Sequence, residues 1–185
     1  MKLKNIVLLV IAMLTCFLAS VPAALCADDK LDFDKFRLDM RRMPLKGIKS
    51  LNVRVAIDGS DEGIASVANH GVTEKTIKNA VELKLRSVGI KIEENVTLTS
   101  AGLIVALMIM DAGNDRGYFV SYEVYVLDSV ILKRQPALDG VMATTWNSGG
   151  VLMGPPDSIN SDIRSSVIDK IEYFANDYLA VNPKK

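Results

Sequence analysis

"LIVALMIMD", Leu103–Asp111, decides the fold: eight apolar residues run unbroken before the first acid. A strand apolar on both faces lies at the centre of a sheet or between two covering layers. The segments around it supply that sheet and its cover. Upstream, in "LNVRVAID", Leu51, Val53, Val55 and Ile57 alternate with Asn52, Arg54, Ala56 and Asp58. Period two with one apolar face predicts a half-buried strand. A loop with Gly59, Gly63 and Gly71 follows, and Thr73 then offers an N-cap with Glu74 in the first turn. Ile77, Ala80, Val81, Leu85 and Val88 recur at three and four, as in an amphipathic helix. Gly89 closes it as a left-handed cap, and Ile90 can fold back onto the last turn. "IKIEE" then reads as a short strand.

Downstream, "AGNDRG" is a hairpin turn by composition. "YFVSYEVYVLDSV" sets Val120, Tyr122, Val124 and Val126 on one side of a long strand. "VMATTWNS" is expected as the last strand, with Met142, Thr144 and Trp146 sharing a face. The final helix is the clearest element. Ile163, Val167, Ile171, Phe174 and Tyr178 form its stripe, and Arg164, Asp169, Lys170, Glu172 and Asp177 are expected toward water or the flank. The predicted fold class is α+β: a two-layer sandwich with a mostly antiparallel sheet of about five strands and two helices on one face, in the order β-α-β-β-β-β-α.

The amino terminus has the three-part layout of a secretory signal peptide. Lys2 and Lys4 precede an apolar core, Ile6–Leu18, and a small-residue zone ends near Ala27. Cleavage after Cys26 or after Ala27 fits. Left uncleaved, Ile6–Leu25 is about 20 residues, long enough to cross a bilayer. Residues 1–27 are thus read as signal peptide, 28–47 as an N-terminal arm and 48–185 as one domain. The arm could form a short helix lined by Leu31, Phe33, Phe36 and Met40. Both cysteines, Cys16 and Cys26, belong to the leader, so the exported domain must hold without a disulfide. Of 22 basic residues two lie in the leader, leaving 20 against 22 acids and a charge of −2. Such a balance does not attract nucleic acid.

"TTWNSGGVLMGPPDS", Thr144–Ser158, imitates a phosphate-binding loop without its chemistry. Gly149, Gly150 and Gly154 lead into Pro155, Pro156 and Asp157, where a lysine and a hydroxyl are required. A connection between strand and helix is expected instead. Val151, Leu152 and Met153 stand out within it, either tucked under the domain or offered as an apolar patch. His70, the single histidine, lies ahead of the first predicted helix, where backbone N–H groups from Thr73 onward could receive an anion. Trp146 could join Tyr118, Tyr122 and Tyr125 in a stacking surface. The binding candidates are therefore His70, Thr73, Trp146, Val151, Leu152 and Met153. No catalytic residue, metal site or cofactor is expected: a zinc site needs several His or Cys ligands, and Asp111–Gly117 lacks the distal glutamate of a calcium loop.

"LKLRSVGIKI", "ATTWNSGG" and the ending "FANDYLAVNPKK" resemble a family of small secreted bacterial proteins whose last helix closes in an "FxNDYLxVNPK"-like run. In order of elements the chain is also similar to the N-terminal domain of TolB and related envelope-assembly lipoproteins, although Leu25–Cys26 and Thr15–Cys16 are poor lipidation sites. The resemblance transfers no activity. Export without cysteines, the lack of a catalytic constellation and an apolar loop beside a helix start instead lead to the expectation of an exported, periplasmic or secreted, non-enzymatic binding or assembly module of the cell envelope, with another envelope protein as its partner. A small-ligand binder or enzyme with its pocket at the 58–74 loop is the alternative, and the membrane is met only through an uncleaved leader.

Overall fold

The computed structural model describes residues 32–94, 100–112, 117–134 and 140–183. The signal-peptide reading, both cysteines and residues 113–116 of the Asp111–Gly117 turn lie outside them. Two compact units divide after Phe36, and Arg37–Lys185 is the larger. The elements are α1 (Phe33–Arg42), a 3₁₀ turn (Met43–Leu45), β1 (Leu51–Gly59), α2 (Asp61–Asn69), α3 (Glu74–Ser87), β2 (Ala101–Asp111), β3 (Tyr118–Val130), β4 (Val141–Gly154) and α4 (Pro156–Val181).

The four strands form one sheet in the order β1-β2-β3-β4. β1 pairs parallel with β2, and β2, β3 and β4 form an antiparallel meander. The class is α+β, as expected, with four strands instead of five and four α-helices instead of two among the described residues. The expected strand at "IKIEE" shrinks to a single parallel bridge, Leu51 to Ile92. Ile90 is taken up by the end of α3, and Ile92 is the one apolar residue left there, between exposed Lys91 and half-buried Glu93. The expected 59–73 loop contains α2. Ser60 caps it by accepting from the Gly63 N–H at 3.3 Å, Asp61 and Glu62 fill the first turn, and Val67 is buried.

One face of the sheet carries the core. Leu103, Val105, Leu107 and Ile109 of β2 meet Val120, Tyr122, Val124 and Val126 of β3 beneath Ile77, Val81 and Leu85 of α3. Ile163, Val167, Ile171, Phe174 and Tyr178 of α4 are all buried, as their spacing predicts. Asp177, expected toward water, is buried at 1% exposure. Gly89 takes φ 86° at the end of α3, and Ile90 folds back into the core.

The glycine-rich connection is a strand. β4 runs through Gly149 and Gly150, which pair with Glu123 and Tyr122. The glycines answer a close approach rather than a turn. A Cβ on Gly150 would stand 2.6 Å from the Tyr122 hydroxyl, and one on Gly149 would stand 2.5 Å from the Tyr122 carbonyl oxygen. Tyr122 therefore lies across Gly150 on the core face. A bulge separates the Val126–Trp146 and Leu127–Thr144 pairs, with Thr145 as the extra residue. It reverses the side on which Trp146 points. Trp146 faces the core, away from Met142 and Thr144, with which it was expected to share a face.

Phe174 is fully buried, with its ring 5.1 Å from Trp146 edge-on. Phe174→Ala is expected to cost about 3–5 kcal/mol in urea unfolding, and Lys170→Ala to change little. Gly150→Ala is expected to lose about 1–3 kcal/mol by forcing the Tyr122 ring aside. A glycine-to-alanine change inside a strand ordinarily gains about 0.5–1 kcal/mol, so the sign of the shift is the test.

Candidate functional site

The end of α4 gathers the polar chemistry of the domain. Asp177 receives four hydrogen bonds, two on each carboxylate oxygen. Arg41 donates through Nε at 2.7 Å and Nη2 at 3.1 Å, Arg42 through Nε at 2.8 Å, and the Trp146 indole N–H at 3.0 Å. Arg41 also stacks on the Tyr173 ring, 4.3 Å from its centroid. Burial pushes the Asp177 carboxyl up, but the donors from Arg41, Arg42 and Trp146 outweigh it and hold it below its ordinary value. Burial likewise opposes the charge of Arg41, and Asp177 more than restores it.

One and five residues on, the same helix end binds the chain after α1. The Tyr178 hydroxyl donates to the Ile48 carbonyl at 2.7 Å, and burial raises its pKa. Asn182 accepts from the Gly47 N–H and donates to the Leu45 carbonyl, each at 2.8 Å. Phe174, Asp177, Tyr178 and Asn182 belong to "FANDYLAVN", the run that carries the family resemblance. Their chemistry here is the fastening of residues 41–48 to α4.

The opposite face of the sheet is bare at one end. Met108 and Met110 of β2, Phe119 of β3, and Val151 and Met153 of β4 are exposed on it, Met153 at 77%. Register sets them in two rows across the strands: Met110–Phe119–Met153 and Met108–Ser121–Val151. Asp58, opposite Met108, and Glu123, opposite Ala106 and Gly149, are exposed on the same face beside the rows. Ala56, Asp58, Ala106, Met108, Ser121 and Glu123 line an open depression of about 320 Å³ there. Leu152 points the other way and packs half-buried against the core.

Of the remaining candidates, Trp146 is 2% exposed and engaged with Asp177. His70 is exposed after α2, its Nδ1 2.9 Å from the Ser66 carbonyl. Thr73 caps α3 in a reciprocal box: its hydroxyl accepts from the Thr76 N–H at 3.2 Å, and its own N–H donates to the Thr76 hydroxyl at 2.9 Å. The structure thus brings Val151 and Met153 together with Met108, Met110 and Phe119, and leaves His70 and Thr73 apart from them.

A more polar cleft of about 420 Å³ lies where β1 and β2 begin, lined by Lys46, Lys49, Ser50, Glu93, Ser100 and Asp128 among others. A hydrogen bond from Ser50 leads the causes that hold the Glu93 carboxyl low. Its charges are of mixed sign, and no histidine or cysteine stands among its walls. Among the described residues no group of His, Cys, Asp and Glu is arranged to hold a metal ion. None of the described helices is long and apolar enough to cross a membrane.

No protein-family model and no curated protein matches the chain, so neither supports the secreted-family or TolB resemblance. Among solved structures it is similar to a PelC dodecamer from Paraburkholderia phytofirmans, at 16% identity and TM-score 0.35, over 66% of this chain and 82% of that one. It is also similar to a minor lipoprotein from Acinetobacter baumannii, at 11% identity and TM-score 0.33, over 73% and 93%. Likenesses at these scores assign neither a family nor an activity.

Asp177→Asn leaves two guanidinium groups facing an amide. Arg41 and Arg42 side chains remain 27% and 31% exposed, so water recovers part of the loss. The expected cost at neutral pH is about 2–4 kcal/mol, under the about 3–5 of a fully buried pair. Because folding lowers the carboxyl from its ordinary 3.8, the unfolded chain binds the proton first as pH falls. The contribution of Asp177 is therefore complete above that value and fades below it. Urea unfolding of wild type and variant at pH 7 and pH 3 should show their difference shrinking in acid. A difference independent of pH would mean that the carboxylate charge is not what holds Arg41 and Arg42.

Proposed function

We propose that the protein is an exported, non-enzymatic binding or assembly module of the bacterial cell envelope, docking a protein partner on the open face of its sheet. One observation carries the reading: Met108, Met110, Phe119, Val151 and Met153 are exposed together on a face that none of the described helices covers. Contiguous apolar patches larger than a few hundred Å² are rare on monomeric domains and mark interaction sites. Methionine supplies three of the five side chains, and its unbranched, polarizable chain adapts to differently shaped apolar partners. Asp58 and Glu123 at the margin favour cations there. The partner surface is thus an amphipathic segment, apolar along one side and basic at its edge. The amino-terminal layout from Lys2 to Ala27 supports export, with the domain acting in the periplasm or outside the cell after cleavage.

A photoreactive residue placed at Met153 or Met110 of the full chain, in the exporting cell, tests this. Both positions should label the same protein, and Val151→Glu in the same chain should abolish the labelling. Control positions Asp169 on α4 and Leu83 on α3 should not label it. Equal labelling from all four, or turnover of a small substrate by purified protein unaffected by Val151→Glu, would overturn the reading.

A further inference from the structure

β4 ends the sheet, and the carboxyl half of its outer edge is open. Among the described residues no backbone hydrogen bond ties Trp146–Gly154 to anything but β3. Ser148, Gly150 and Leu152 turn toward the helix side yet stay half-buried, whereas the β3 residues they pair with, Val124, Tyr122 and Val120, are buried. Natural sheets guard such an edge with charges, proline or a bulge. β1, the other edge, carries exposed Arg54 and Asp58, and the backbone of Lys91 and Glu93 bonds to its Leu51 end. β4 has no charged residue and no proline from Val141 to Gly154. Its bulge at Thr145 leaves Trp146–Gly154 in unbroken register with Tyr118–Val126. A row of unpaired N–H and C=O groups fits one kind of ligand, the backbone of another extended chain.

The open face says which side chains that chain carries. Register sets three rows across the strands: Met110–Phe119–Met153, Met108–Ser121–Val151 and Ala106–Glu123–Gly149. Each row stops at β4. A fifth strand adds one side chain to each, about 4.5–5.5 Å from its β4 neighbour. Beside Met153 and Val151 the fitting side chain is apolar. Gly149 has none, so a residue beside it faces exposed Glu123 across bare backbone. Two strand spacings come to about 10 Å, a gap that a lysine or arginine and a glutamate close together. Glu123 accepts from Asn147 through Oε1 at 3.3 Å, and the charge remains to be met. Asp162 of α4 stands at the Gly154 end of the same edge, its carboxylate 3.8 Å from where a Cβ would lie. The other charged strand residues of this face, Arg54 and Asp58, lie on β1 at the opposite edge.

Resting on the open-face reading above, we infer that the partner adds an extended segment to β4 as a fifth strand. Its alternate side chains are apolar, apolar and cationic beside Met153, Val151 and Gly149. The shared backbone ladder supplies affinity, and the three rows supply specificity.

Amide chemical shifts of the full chain, followed by NMR, test the inference. The probe is the end-blocked peptide Thr-Val-Thr-Val-Thr-Lys-Thr, or its reverse sequence, added to millimolar concentration. Amides of Asn147–Met153 should move with one of the two, and those of β1 should stay. Methylating alternate peptide nitrogens removes the donors along one edge of the strand only. Methylation in one phase should weaken binding about tenfold or more, and in the other phase should leave it unchanged. Equal weakening in both phases, or β4 amides that move with neither peptide, overturns the inference. Ser148→Lys separates it from docking on the open face alone, because Ser148 lies on the helix side of the edge. In the free protein the lysine stem can reach water, so an unchanged thermal midpoint is expected. An added strand would cover the charge, so Ser148→Lys should abolish photolabelling from Met153 in the exporting cell, and Ser148→Thr should keep it. If Ser148→Lys labels as wild type while Val151→Glu abolishes labelling, the open-face reading stands and only this inference falls.

Discussion

A carboxylate taken out of water is costly unless charged partners and hydrogen bonds replace the solvent, and the fold accepts that cost at Asp177. Its two oxygens accept from Arg41, Arg42 and Trp146, which tie the end of α1, the middle of β4 and the last turns of α4 to one point. Tyr178 and Asn182 extend the tie to residues 45–48. The links between α4 and residues 41–48 span 130 to 137 positions in the chain. They close the largest loop in the domain in the way a disulfide would, but with groups whose strength depends on pH and geometry. Hydrophobic burial alone does not specify where residues 41–48 rest. A carboxylate with four directed donors does.

The two faces of the sheet follow different rules. On the helix side the inward-turned residues of β2 and β3 share one core with α2, α3 and α4. On the other side β2 continues its apolar run through Met108 and Met110 into open solvent. Natural sheets with one solvated face alternate apolar and polar residues, whereas unbroken apolar strands belong to sheets covered twice. Here β1 alternates and β2 does not. The departure is local: Phe119, Val151 and Met153 share it, while Ser121, Glu123 and Asn147 are ordinary open-face residues. Met142, exposed on the same face at the far end of β4, stands apart from these rows.

Much of the fold was legible because its signals are local. The alternation of β1, the stripe of α4 from Ile163 to Tyr178, and the Gly89 cap with Ile90 behind it need only neighbours in sequence. α2 was missed although Ser60, Asp61, Glu62 and Val67 announce it, because Gly59, Gly63 and Gly71 suggest a loop. In the structure Gly63 is buried within the helix, where a Cβ would come 3.1 Å from an Ile109 methyl. Gly149 and Gly150 misled for the same reason: their cause is Tyr122, 27 and 28 positions earlier. Asp177 misled because a charge beside an apolar stripe ordinarily faces water, and its arginine partners lie 136 and 135 residues upstream. Of the open-face site, Val151 and Met153 could be singled out as apolar residues without a local purpose. Only strand register joins them to Met108, Met110 and Phe119.

The knot at Asp177 also bears on whether α1 keeps its last turn. An isolated helix of ten residues is marginal in water, because nucleation is costly and few hydrogen bonds follow it. Arg41 and Arg42 sit in its last turn, where cations also favour the helix dipole, and Asp177 holds both. The buried carboxylate therefore holds the last turn of α1 against the end of α4.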